Sequence, residues 1–332
     1  MSNTIKYSTQ TENNTLKKGN FVIGVNDVDY GPTSETGYHN TITPPEGGYV
    51  VYKNRGDNER SIYVAQNDEE LVTLKDDFGA TGSTANDVLV WAAQQDDVLI
   101  LNNPLDNIVT DGLVLYLDAG FTCSYPKSNT TWYDLSGNGN GGTLTNGPTF
   151  SDGSLVFDGS DDVINLPSSN DLTGNNLQNM TVEIWLKYTD TGIMYSFSLK
   201  RSSIISTLLS ITCNQDVNTS TGRLGFLVRN YADTAHEWIT HNGGYNDGNW
   251  HHVCGVIDGT NRILYIDGSQ KNSSTGGIQS VSSNTAIATI GAFSAGNTSF
   301  NGNISNARFY RKSLTSSEVL QNYNAQKSRF GL

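Results

Sequence analysis

Residues 249–268 read NWHHVCGVIDGTNRILYIDG, and the fold turns on this stretch. Two runs rich in β-branched and aromatic residues, 250–257 and 263–266, flank the polar turn Asp258-Gly259-Thr260-Asn261, and a second Asp-Gly follows at Asp267-Gly268. Turn chemistry of this kind between apolar runs predicts a β-hairpin. In the first run Trp250, His252, Cys254 and Val256 fall on one face, and His251, Val253, Gly255 and Ile257 on the other. Both faces carry apolar groups, so the strand belongs inside a stack of sheets and not on a solvated one.

Outward from the hairpin, strand-like runs recur at short spacing at 112–120, 154–158, 163–166, 181–188, 204–211, 224–230, 237–240, 288–292 and 303–310. That rhythm predicts a two-sheet antiparallel sandwich over residues 109–332. The loop at 137–142, dense in Gly and Asn, suits tight turns with positive φ. Thr315 with Glu318 three residues on forms a capping box, and Val319, Leu320 and Tyr323 make the apolar stripe of a short helix closing one edge or end of the sandwich.

Upstream, residues 1–20 are polar and read as an extended arm, and residues 21–108 as a small α+β domain with no catalytic signature. Short strands are expected at 21–25, 49–52 and 61–65. Asn67 caps a helix with Glu70 three residues later, Leu71, Leu74, Lys75 and Phe78 follow at helical spacing, and Gly79 stops it. A second helix starts near Ala85, with Val88, Trp91, Ala92 and Gln95 on one face. Asn102-Asn103-Pro104 breaks the pattern and places the domain boundary near Ile108.

Composition narrows the function classes. The 332 residues carry a formal charge of −13 with only 16% charged residues, so phosphate backbones and anionic membrane surfaces are repelled and nucleic acid is excluded as a partner. Cys123, Cys213 and Cys254 cannot all pair and match no zinc spacing, so they read as buried hydrophobes or free thiols. The N-terminal MSNTIKYSTQTENN lacks an apolar signal-peptide core, and no run approaches the roughly 20 apolar residues of a membrane span. Synthesis in a cytoplasm without export is expected, which makes the Asn-x-Ser/Thr triplets at Asn129 and Asn297 products of composition.

The Trp-His start, apolar strand, Asp-Gly turn and LYIDG of the hairpin resemble laminin-G-like jelly rolls of the concanavalin-A-like superfamily. So do FDGSDDVINLP at 157–167, MTVEIWLKY at 180–188 and IGAFSAGNTSFNGNISNARFYRKSLTSSEVLQNY at 290–323, in the order that family uses. The resemblance implies a mainly β fold, a C-terminal jelly-roll sandwich beside the small N-terminal α+β domain. It leaves function open, because this fold hosts lectins, glucanases, adhesion modules and structural domains.

Three chemistries can be weighed against it. Glucanase relatives direct attention to Glu183, but retaining hydrolysis needs two carboxylates about 5–5.5 Å apart, and the same-face positions after Glu183 hold Trp185 and Lys187. A single acid paired with a neighbour is the expected role, and no catalytic residue is assigned. Calcium on loop carboxylates, as laminin-G-like modules often carry, would draw on Asp118, Asp134, Asp161 and Asp162, yet these form no ordered ligand series, and Asp and Asn in such loops mostly close Asx-turns. No metal ligand and no required cofactor is therefore assigned. His39, His236, His241, His251 and His252 accompany no nucleophile elbow and no Cys-His signature, and His252 is expected to pack. Glycan binding without chemistry remains: the stretch YADTAHEWITHNGGYNDGN at 231–249 concentrates Tyr231, Trp238, Asn242, Tyr245 and Asn246, candidate ligand-binding residues of the aromatic-plus-amide kind sugars require. The plainer alternative has Trp238 facing the core of a strand.

Finally, GPTSETGYHNTITPPEGGYVVY at 31–52, GLVLYLDAG at 112–120 with TTWYDLSGNGN at 130–140, and NYNAQKSRFGL at 322–332 resemble virion proteins of marine tailed phages of cyanophage type. That resemblance implies a non-enzymatic structural protein on the particle exterior, as capsid decoration, head fibre or tail fibre. The N-terminal domain would dock to other virion proteins, and the jelly roll would contact host cell-surface glycan for adhesion. Assembly in the host cytoplasm agrees with unpaired cysteines. A homo-oligomer is compatible with this role, though no heptads enforce one. The competing expectations are a polysaccharide-acting glycoside hydrolase and a free-standing carbohydrate-binding lectin.

Overall fold

The computed structural model describes residues 5–8, 15–18, 21–24, 48–56, 59–95, 98–101, 108–127, 129–173, 178–201, 207–214, 222–229, 235–275, 286–293 and 298–332. The chain divides into two compact units, Met1–Asn107 and Ile108–Leu332.

In the first unit an antiparallel sheet runs in the order Ile5–Ser8, Glu59–Ala65, Tyr49–Gly56, Val98–Leu101. Two helices accompany it, Asp68–Phe78 and Ala85–Ala93. The first is capped by the Asn67 side chain and stopped by Gly79 at φ +82°, and the second by a Thr84–Asp87 capping box. Leu71, Phe78, Val88, Leu89 and Ala92 are buried.

The second unit is the sandwich. Its first sheet runs Thr149–Ser151, Ser154–Asp158, Asn301–Tyr310, Asn179–Lys187, His251–Asp258, Asn261–Ile266, Ser269–Ser274, with Leu113–Asp118 also pairing to Asn301–Tyr310. The second runs His236–Asn242, Arg223–Arg229, Thr207–Cys213, Met194–Arg201, Ala286–Ile290, Val163–Asn165, Gly142–Thr145, Thr131–Trp132. Every pairing among the described strands is antiparallel. Two facing antiparallel sheets are the jelly-roll sandwich that the hairpin announced.

The hairpin explains the closeness of the layers. Asp258 pairs with Asn261, leaving Gly259 at φ +57° in the first central position, where a II′ turn needs glycine. Ile266 pairs with Ser269 across Asp267 (φ +51°) and Gly268 (φ +71°), both in the left-handed region, the signature of a I′ turn. Gly255 leaves no room for a Cβ against the Phe226 ring of the opposite sheet, so the sheets interlock at that point. Val182, Ile184, Leu186, Val253 and Ile257 face the core with Phe197, Leu199, Ile211 and Phe226.

The other face of the first sheet is covered as well. Helix Ser316–Gln326, with its Thr315–Glu318 capping box, buries Val319, Asn322 and Gln326. The 3-10 turn Lys327–Phe330 continues from it. Glu183, Trp185, His252 and Arg308, which alternation turns away from the core, lie beneath this cover at 0% exposure.

Candidate functional site

Two groups of charged and aromatic side chains sit on the first sheet, one sealed and one open. In the sealed group Glu183 Oε2 accepts from Arg308 Nε at 2.9 Å and from Asn322 Nδ2 at 2.9 Å, and His252 Nε2 stands 3.6 Å from the other carboxylate oxygen. Arg308 Nη1 donates to Gln326 Oε1 at 2.7 Å, and Gln326 Nε2 donates to the Tyr116 hydroxyl at 2.7 Å. Burial opposes the charge on Glu183 most strongly, but Arg308 and His252 together outweigh it and hold the carboxyl at about 2. A carboxylate without solvent access and fixed in its ionised form is no general acid. It anchors the C-terminal helix to the sheet.

The open group surrounds a cavity of about 330 Å³ lined by Lys187, Asp247, Trp250, Asp267, Tyr323 and Phe330 among others. Each wall has a local cause. Asp247 closes an Asx-turn, its Oδ1 accepting from Asn249 N at 2.9 Å and its Oδ2 from Asn249 Nδ2 at 2.8 Å. Gly248, at φ +77°, ties that loop to Tyr188 O at 3.1 Å. Asp267 occupies the I′ turn, and its Oδ1 accepts from His252 N at 3.0 Å. Phe330 stacks on Trp185 at 4.1 Å and tilts against Trp250 at 4.9 Å, while Lys187 Nζ lies 5.1 Å from the Trp250 ring centre.

His251 joins the two carboxylates, with Nδ1 3.0 Å from Asp267 Oδ2 and Nε2 3.2 Å from Asp247 Oδ1. Burial disfavours its charged form, but the flanking carboxylates outweigh burial and raise its pKa above the ordinary histidine value. Asp247 is moved the other way: partial burial is overcome by the Asn249 and His251 hydrogen bonds, and its pKa is lowered. Aromatic faces beside oriented carboxylates form a surface that can stack a sugar ring and accept its hydroxyls.

The residues expected from sequence are placed differently. Tyr231 lies outside the described residues, as do His39 and Asn297. Trp238 pairs with Leu227, and because Ile239 is the core residue, Trp238 sits on the opposite, half-exposed face. The core-facing alternative for Trp238 is thereby corrected: strand alternation gives that place to Ile239. Asn242 is exposed and accepts from Arg223 Nε. Tyr245 is buried, its hydroxyl 2.8 Å from His241 Nδ1 and its ring edge-on to His251, so it braces the loop from inside. Asn246 is half-buried beside Asp247. Lys187, Trp250, Asp267, Tyr323 and Phe330 were missed; the available signal was two Asp-Gly turns, 247–248 and 267–268, at the same end of one hairpin.

The loop acids also separate. Asp118 is fully buried, 2.7 Å from Arg329 Nη1 and bonded to the Tyr116 hydroxyl at 3.0 Å. Asp134 accepts from Tyr116 N, Ser136 N, Ser136 Oγ and Asn140 N, which fills its turn. Asp161 and Asp162 gather with Asp158, their carboxylate oxygens within 4.8 Å of one another. These three could share a hard divalent cation, although Asp162 Oδ2 already accepts from Asp158 N at 3.0 Å. Cys213 and Cys254 are fully buried, and burial pushes both thiols up, away from reactivity.

The two facing antiparallel sheets define a jelly-roll domain. Residues 158–320 match the model of the Concanavalin A-like lectin/glucanases superfamily, and this part of the chain is a domain of that kind. Among solved structures, domain 4 of AbnA, an extracellular GH43 arabinanase from Geobacillus stearothermophilus in complex with arabinotriose, is similar at 18% identity, covering 64% of this chain and 98% of that one with a TM-score of 0.47. The botulinum neurotoxin serotype D binding domain is similar at 13% identity over 66% of this chain and 53% of that one, with a TM-score of 0.48. A structure of the serotype D ligand binding domain with N-acetylneuraminic acid gives 12%, 66%, 52% and 0.48. The chain thus spans about half the length of the neurotoxin chains. No curated protein matches the sequence.

Proposed function

We propose that residues 108–332 form a non-catalytic glycan-binding module whose contact surface is the groove between Trp250, Phe330, Asp247 and Asp267. The observation that carries this reading is the groove itself, where partly exposed aromatic rings stand beside two carboxylates fixed in orientation by turns and by His251. Hydrolysis is disfavoured on chemical grounds. A general acid needs a raised pKa, whereas Glu183 is sealed in an ion pair and Asp247 is shifted down.

The module serves, in this reading, as the outward-facing part of a structural protein on the exterior of a tailed-phage particle, with the first unit docking to other virion proteins. The segments at 31–52, 112–120, 130–140 and 322–332 support it through their resemblance to such proteins. Many copies on one particle would turn a weak sugar contact into firm adhesion to a host surface. Calcium at Asp158, Asp161 and Asp162 is compatible with the proposal and is not required by it.

Binding of the purified full chain to an immobilised glycan panel tests the module. Retention of one or more glycans without release of reducing ends is the expected result, and release of reducing ends would refute the non-catalytic assignment. Mass spectrometry of purified particles tests the location, with stoichiometric presence expected.

A further inference from the structure

Building on the glycan-binding reading, we infer that the groove takes a neutral, polyhydroxylated sugar, with Asp247 and Asp267 accepting its hydroxyls while a doubly protonated His251 holds both carboxylates in place. The geometry at His251 is the starting point. Its two ring nitrogens face carboxylate oxygens at 3.0 and 3.2 Å. A neutral imidazole carries one N–H and one lone pair, so it can satisfy one of these contacts and opposes the other; the imidazolium donates to both.

The carboxylates keep acceptor capacity for a ligand. An ionised carboxylate offers about four lone-pair sites. Asp267 spends one on His252 N and one on His251, and its side chain is 30% exposed. Asp247 spends three, on Asn249 N, Asn249 Nδ2 and His251, and is 41% exposed. Sugar hydroxyls can donate to what remains. The apolar face of the same sugar would lie on Trp250, at the groove wall.

Charge selects the ligand class. With His251 protonated the groove holds two cations, Lys187 and His251, and two anions, Asp247 and Asp267. A cationic sugar would bring a third positive charge beside Lys187 and the imidazolium and would compete with the imidazolium for the same carboxylate oxygens. An anionic sugar would meet those carboxylates at the groove and a chain of net charge −13 around it. A neutral sugar incurs neither penalty.

The same geometry couples binding to pH. The groups in contact with His251 are Asp247 and Tyr245 from the loop and Asp267 from the turn, with Lys187 from the neighbouring strand and Tyr323 from the helix lining the same groove; burial opposes protonation, while the two carboxylates favour it. The balance raises the pKa of His251, so the clamp holds at and somewhat above the ordinary histidine range. As pH rises through the folded-state pKa, one ring nitrogen presents a lone pair to a carboxylate and the clamp releases.

The experiment uses the full chain against neutral arabino-, xylo-, gluco-, manno- and galacto-oligosaccharides, beside sialyllactose and oligogalacturonate as acidic members. Affinities are then measured by calorimetry near pH 6 and near pH 9. A neutral member is expected to bind, with affinity falling about tenfold between those pH values as one charge-assisted contact is lost. His251→Gln should lower affinity near pH 6 by about the same factor and flatten the profile, its fold checked by circular dichroism. An NMR titration of His251 in the unaltered chain gives an independent readout, with a midpoint above the ordinary histidine value expected. Exclusive binding of the acidic members, or a flat profile in the unaltered chain, overturns the inference and leaves the glycan-binding reading standing. Failure of every member to bind overturns both.

Discussion

Glu183 with Arg308 and Asp247 with His251 and Asp267 are two sets of acids and bases on one sheet, and they differ in their cover. Glu183 and Arg308 are fully buried beneath helix Ser316–Gln326, whose Asn322 and Gln326 reach down to hydrogen-bond them. Asp247 and Asp267 stand at the margin of that cover, where Tyr323 and Phe330 form a wall and leave an opening. Burial makes the first set dependent on its partners, because an unpaired charge there has no water to turn to. Solvent access frees the second set to exchange water for a ligand. Residue type does not separate an anchor from a contact surface here; the lid does.

The largest test of the comparison falls on the sealed side. Glu183→Gln leaves the Arg308 charge buried without its counterion and should reduce stability by about 3–5 kcal/mol, read as a shift in urea midpoint with little change in slope. Glycan affinity of the folded fraction should be unaffected. A loss of affinity with stability intact would reverse the roles assigned to the two groups.

Acid should act on the same pair with a defined sign. The Glu183 carboxyl falls from 4.5 to about 2 in the folded chain, Arg308 and His252 together outweighing burial. Its contribution is therefore fully present above about pH 4.5 and is lost as pH falls through about 2, amounting to about 3 kcal/mol. Urea unfolding across that window should show the loss, and Glu183→Gln should remove it. If the variant and the unaltered chain lose stability in parallel, Glu183 is not the group responsible.

How much of this was legible in the sequence follows from how local each signal is. The hairpin could be read because Gly259 and Asp267-Gly268 state their turns within four residues. The terminal helix could be read from Thr315 and Glu318 for the same reason. Strand Met194–Arg201 was legible too, since Tyr195, Phe197 and Leu199 alternate with Ser196, Ser198 and Lys200, whereas Ser269–Ser274 escaped notice because SQKNSS carries no apolar residue at all. The partner of Glu183 lies 125 positions away, and no local pattern announces it. Tyr245 misleads in the opposite sense: an aromatic in a Gly-rich loop suggests display, but the loop folds the ring inward against His251. The groove is assembled from Lys187, the 247–250 loop, the 267–268 turn and the C-terminal turn, so only the register of the sheet brings it into being.

On the open side the expected effect is on binding more than on folding. Trp250→Ala removes the ring that touches Phe330 and Lys187 at the groove wall. Glycan affinity should fall by about tenfold or more, while stability drops by about 1 kcal/mol from the lost ring contact. Trp250→Phe should restore most of the binding. An unchanged affinity in the alanine variant would move the contact surface elsewhere, with the half-exposed face carrying Trp238 the next place to examine.

The smallest effect should reach both regions at once. Thr315 Oγ1 accepts from Glu318 N at 3.3 Å, and Glu318 Oε2 accepts from Thr315 N at 2.8 Å. This box starts the helix that seals Glu183 with Asn322 and borders the groove with Tyr323. Partial burial opposes the charge on Glu318, but Lys312 and the Thr315 hydrogen bonds outweigh it and lower its pKa, so the cap strengthens above the ordinary carboxylate range and weakens as pH falls. Thr315→Ala should cost about 1 kcal/mol and lower glycan affinity by less than the Trp250 change, whereas Thr315→Ser, which keeps the oxygen, should do neither. Hydrogen exchange along residues 316–326 distinguishes the outcomes: faster exchange in the alanine variant with both stability and affinity reduced ties anchor and groove to one lid. Faster exchange with affinity untouched would show that the groove keeps its shape without the helix.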